Sequence, residues 1–169
     1  VITALPQLLQ ESPAAFWLLV VALAYFAWMG PTLAVIDART HLLPDRIVLP
    51  SYAIAAPTVG AAWLNGGPSA ALQVVAIAVA LWAAFFILRF INPAGMGFGD
   101  VKLAGVLGLY LGVLGWTHAL AGMFIAFVLA ALYGLVAMAL RKATLKTNVP
   151  FGPFMILGTV VGLLLPTAV

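Results

Sequence analysis

Uncharged apolar stretches follow one another along nearly the whole chain. Ser12–Ile36, Ile47–Leu64 and Ser69–Leu88 are three such runs, Leu103–Leu140 is a fourth of 38 residues, and Phe151–Val169 is the last. A helix needs about 20 mostly apolar residues to cross the hydrocarbon of a bilayer. The fourth run is therefore too long for one crossing, and its interruption at Gly115-Trp116-Thr117-His118 divides it. Between the second and third runs lies Asn65-Gly66-Gly67-Pro68, a turn-forming sequence that makes them a helical hairpin. The pattern predicts an all-α, polytopic membrane protein with about six transmembrane helices.

Composition sharpens this. Of the 169 residues, 66% are hydrophobic and 7% charged, against about 25% charged in an ordinary soluble domain. The expectation is one membrane-embedded domain over residues 1–169. With no cysteine, the chain has no disulfide framework, no thiolate metal site and no thiol nucleophile. His41 and His118 lie far apart without metal-binding spacing, so neither a metal nor another cofactor is expected. A net charge of +3 in so apolar a chain points to the lipid bilayer, not nucleic acid, as the partner.

The charges also orient the chain. With six crossings, Arg39 and Arg46, then Arg89 and Lys102, then Arg141, Lys142 and Lys146 all fall in odd-numbered connections. Positive residues collect on the cytoplasmic side. Residues 38–46, 89–100 and 141–148 are thus expected in the cytoplasm, and both termini outside. Trp17, Trp63 and Trp116 lie towards the opposite ends, where an interfacial aromatic belt or simple packing accounts for them. Gly105, Gly108, Gly112 and Gly115 are read as small residues that let helices approach.

Four acids exist: Glu11, Asp37, Asp45 and Asp100. Glu11 reads as solvated. Asp37 follows the first run and Asp100 precedes the fourth, both at the cytoplasmic boundary. Two converging carboxylates can share a proton, one serving as base towards water and the other as acid. Asp100 could instead merely cap its helix, with Asp37 paired to Arg39 or Arg46. Asp45, after Pro44, is expected to cap the second helix. Placed at opposite ends of helix macrodipoles, Asp37 at a C-terminus and Asp100 at an N-terminus, the pair divides its work, with water activation assigned to Asp100.

Three segments carry a resemblance. Gly95-Met96-Gly97-Phe98-Gly99-Asp100-Val101-Lys102 holds a G-x-G-D-x-K pattern, and Val35-Ile36-Asp37-Ala38-Arg39-Thr40-His41-Leu42-Leu43-Pro44-Asp45 and Val149-Pro150-Phe151-Gly152-Pro153-Phe154 flank it in order. Together they resemble the bacterial type IV prepilin peptidases over roughly residues 30–165. The resemblance implies a membrane aspartic endopeptidase with Asp37 and Asp100 as its catalytic pair. Its substrates would be prepilins of type IV pili or pilin-like subunits of type II secretion, cut behind a short basic leader at the cytoplasmic face of the bacterial inner membrane. Gly97 and Gly99 are candidates to lie against a substrate strand, with Lys102, Pro150 and Gly152 as further substrate-binding residues. Longer family members add a cysteine-containing cytoplasmic domain and methylate the new N-terminus. The 36 residues before Asp37 and the lack of cysteine imply a peptidase without methyltransferase activity.

Three other readings remain, one of them a purely structural membrane subunit. A G-x-G-D protease could cut within substrate membrane helices. A small transporter or channel could use Asp37 and Asp100 as proton or cation sites, and would show paired broken helices and inverted repeats, which the sequence does not display.

Overall fold

The computed structural model describes residues 9–93, 95–141 and 150–166. Helix is the only regular secondary structure among them. The elements are α1 (Pro13–Thr40), α2 (Asp45–Ala55), α3 (Pro57–Ile91), α4 (Phe98–Gly112), α5 (Trp116–Ala139) and α6 (Gly152–Leu164). Trp17, Leu72, Phe90 and Phe124 are exposed, as suits side chains solvated by lipid and not by water. Pro13–Thr40, Asp45–Ile91 and Trp116–Ala139 are stretches long and apolar enough to cross a membrane. The chain is an all-α membrane protein.

The end of α1 corrects one boundary. Hydropathy stops at Ile36, but the helix runs on to Thr40, whose Oγ1 donates to the Ile36 carbonyl at 2.8 Å. It closes at His41, in the left-handed region at φ 53, whose N–H donates to the Asp37 carbonyl. Asp37 thus lies inside the last turn, buried, and not beyond the helix.

As one straight rod, the 47 residues of Asp45–Ile91 would reach ~70 Å, more than twice the ~30 Å hydrocarbon thickness. The chain instead turns back at Gly67, whose φ of 72 and ψ of −164 interrupt α3 in a region essentially confined to glycine. Ala61, before the turn, packs on Ala15 and Leu19 of α1. Val74, after it, packs on Gly112 of α4. Tyr110 of α4 donates its hydroxyl to the Ala22 carbonyl of α1, so these contacts lie near one level of the bundle. The hairpin expected from Asn65–Pro68 is present. So is the break in the fourth run, where Gly115 at φ 94 precedes Trp116, the first residue of α5.

α4 is the axle of the bundle. From Asp100 to Gly112 every residue is buried except Lys102. A Cβ added at Gly108 would stand 2.6 Å from Ala78 Cα, and one at Gly112 would stand 2.8 Å from Val74 Cα. Gly105 similarly accommodates the Tyr52 ring. Glycine at these three positions lets α2 and α3 close on α4, the usual service of small residues between membrane helices. Gly115 serves the turn instead. On the other side, Gly122 of α5 and Gly158 of α6 meet in the same way, a pair the sequence reading did not single out. Sheathing α4 fixes its N-terminus, and so Asp100, in the interior.

Candidate active site

The C-terminal end of α1, the N-termini of α2, α4 and α6, and the C-terminal end of α3 gather at one end of the bundle. Lys102–Asp45, Arg89–Met96 and Gly152–Asp37 contacts link them. Arg39 and Arg46 belong to this end as well, by their places on α1 and α2. Lys142, Lys146 and Val149 lie outside the described residues.

Here a pocket of about 210 Å³ is lined by Asp37, His41, Arg89, Pro93, Gly95, Met96, Gly97, Asp100, Pro150 and Phe151. Asp37 and Asp100 are both buried, at 4% and 7% exposure. Each is held by one backbone N–H from a helix start. Gly152, the first residue of α6, donates to Asp37 Oδ2 at 2.9 Å. Gly97, the N-cap of α4, donates to Asp100 Oδ2 at 3.0 Å. Among the described residues no hydrogen bond reaches Oδ1 of either acid.

This geometry changes the electrostatic argument. Asp37 does sit near the C-terminal end of its own helix, but the N-terminus of α6 faces it, so two opposed dipole ends act on one carboxylate. The macrodipole no longer ranks the two acids. For Asp100, capping and pocket lining coincide: its side chain reaches back to the N-cap while facing the cavity.

Several expected residues stand elsewhere. Asp45 is the first residue of α2, and its side chain makes no cap hydrogen bond. Instead it pairs with Lys102 Nζ at 2.7 Å, the one ion pair among the described residues. Lys102 also lies 5.1 Å from the Phe98 ring centroid, and it does not line the pocket. Asp37 is accordingly not paired with Arg39 or Arg46. Gly97 and Pro150 line the pocket, whereas Gly99 packs on Leu43 and Gly152 touches Asp37 from behind.

Other lining residues were missed. His41, the left-handed residue that closes α1 four positions after Asp37, lines the pocket as well. Arg89 and Phe151 carried no local signal that they line it. Phe151 is backed by Phe85 and Phe127, with ring centroids at 5.9 and 5.0 Å.

The arrangement defines a class: an all-α membrane protein with a pair of aspartates in one pocket at the bundle's basic end. Residues 16–135 match the Type IV leader peptidase family, Peptidase_A24, and the chain belongs to that family. It is 29% identical over 153 residues to the prepilin leader peptidase/N-methyltransferase of Stutzerimonas stutzeri, covering 85% of this chain and 49% of the relative. To the proteins of the same name from Pseudomonas putida and Escherichia coli (strain K12) it is 31% identical, over 130 and 133 residues. Those matches cover 76% and 78% of this chain, and 44% and 57% of the relatives. The chain thus spans about half the length of the curated relatives it matches. No solved structure matches it.

Proposed function

We propose that this chain is an aspartic endopeptidase that removes the leader of type IV prepilins or pilin-like secretion subunits, with Asp37 and Asp100 as its catalytic pair. The observation that carries the reading is the shared pocket, in which each carboxylate has one oxygen fixed by a backbone N–H. A water between the remaining oxygens would lose a proton to one carboxylate and attack the scissile carbonyl. The other, protonated, would support the developing oxyanion and then return a proton to the leaving amine. Neither acid is assigned permanently as base. The pair is sufficient for amide hydrolysis, and the proposal covers cleavage alone, without the methyl transfer in the relatives' name.

The active end is placed at the cytoplasmic face of the inner membrane, with six crossings in a single domain and outward termini. The one-sided distribution of all seven basic residues supports this orientation. The test is incubation of detergent-solubilised protein with a prepilin, followed on a gel and by mass spectrometry. Wild type should release a leader-sized fragment, and Asp37→Asn and Asp100→Asn should release none while accumulating normally. Cleavage by either variant at wild-type rate overturns the assignment. A further methyl mass on the product refutes the cleavage-only reading.

A further inference from the structure

We infer that Arg89 is a positioning residue for Asp100, acting through the peptide group that joins Met96 to Gly97. Arg89 Nη1 donates to the Met96 carbonyl at 2.6 Å. The N–H on the other side of the same peptide bond, that of Gly97, donates to Asp100 Oδ2 at 3.0 Å. A peptide group is planar, so the side chain that holds its oxygen also fixes the direction of its N–H.

This peptide needs such a hold. Gly95 and Gly97 flank Met96, and glycine leaves the backbone dihedrals soft. Left alone, the plane would swing and carry the N–H away from Asp100. A guanidinium forms short, charge-assisted hydrogen bonds, and hydrogen bonds in series polarise one another. Arg89 therefore both aims the N–H and strengthens it as a donor.

Arg89 is itself fixed. It stands in the last turn of α3, with its guanidinium 5.5 Å from the Phe98 ring centroid. Lys102 meets the same ring and is pinned by Asp45. Arg89 also lines the pocket, and a KM measurement separates its hold on the Met96 carbonyl from a direct contact with substrate.

The inference rests on the catalytic reading of the aspartate pair, and two measurements separate it from that reading. The first is prepilin cleavage by Arg89→Met and Arg89→Lys at matched folded protein. Arg89→Met should lower kcat about tenfold with KM within about twofold, the pattern of a group that acts only on the transition state. Arg89→Lys, with one charged donor but no fork, should recover part of the loss. Wild-type kcat in Arg89→Met, or a raised KM at unchanged kcat, overturns the inference. If Arg89→Met does not accumulate, Arg89→Lys decides: reduced kcat at unchanged KM supports the inference, and wild-type kcat overturns it. The second measurement is amide exchange at Gly97, read by NMR on 15N-glycine-labelled protein in detergent. Slow exchange in wild type and faster exchange in the variants supports the tether, and equal rates overturn it. Failure of wild type to cut any prepilin would sink the proposed function, while the exchange comparison would still decide the tether.

Discussion

Gly152 stands 2.9 Å from Asp37 Oδ2 across 115 residues of sequence, so the first residue of the last helix holds a carboxylate on the first helix. A Cβ at position 152 would lie 2.8 Å from that oxygen and 3.2 Å from Asp37 Cγ. Gly152→Ala must therefore displace the carboxylate from its donor. Small misplacements of a catalytic group cost on the order of a hundredfold in rate. We expect cleavage to fall by at least about tenfold while melting in detergent changes little. Unaltered kcat in this variant would show that Asp37 does not need its place.

Asp45→Asn should behave differently. The variant loses only the partner of Lys102, with Asp45 exposed and Lys102 partly so. Exposed pairs are worth about 0–1 kcal/mol. Activity near wild type and a melting temperature within a few degrees are the expected results, since about 1 kcal/mol moves a domain of this size by roughly 2–4 °C. Abolished cleavage would make Asp45, and not Asp37, the partner of Asp100.

Gly108→Ala and Gly134→Ala place the same methyl group in opposite surroundings. At Gly108 the new atom would meet the Ala78 backbone at 2.6 Å, whereas at Gly134 nothing lies within 4 Å. Overpacking costs about 1–3 kcal/mol, while replacing glycine in a helix interior gains up to about 1 kcal/mol. Thermal melting should show Gly108→Ala lowered and Gly134→Ala unchanged or raised. The reverse order would mean that α3 and α4 do not pack as described.

Single-cysteine labelling in the cysteine-free background tests orientation. Cysteines near Asn65 should react with an impermeant reagent from outside, and those in residues 38–46 only from the cytoplasmic side. Cytoplasmic labelling near Asn65 would invert the topology.

What the sequence reveals here is what local chemistry determines. Asn65–Pro68 announces a reversal because only glycine tolerates the backbone angles of Gly67, and Gly115 marks the second break for a similar reason. Asp37 and Asp100 stand out because acids are rare in this chain and sit in recognisable motifs. The end of α1 was misjudged because hydropathy falls at Asp37 while Ala38 and Arg39 are good helix formers. Contacts between distant segments leave no such trace. The partner of Asp45 lies 57 residues away, and the role of Gly152 depends on α6 arriving beside α1.

The donors that grip the two acids are main-chain groups, so no side chain is needed to supply them, although at position 152 there is no room beside the carboxylate for one. Every residue but proline brings an N–H, so Gly97→Pro and Gly152→Pro are the substitutions that delete these donors outright. Pro93, Met96 and Phe151 line the same cavity, and none of them donates to either carboxylate. Replacing those three side chains with any residue but proline therefore leaves both donors in the chain, whereas proline at position 97 or 152 removes one.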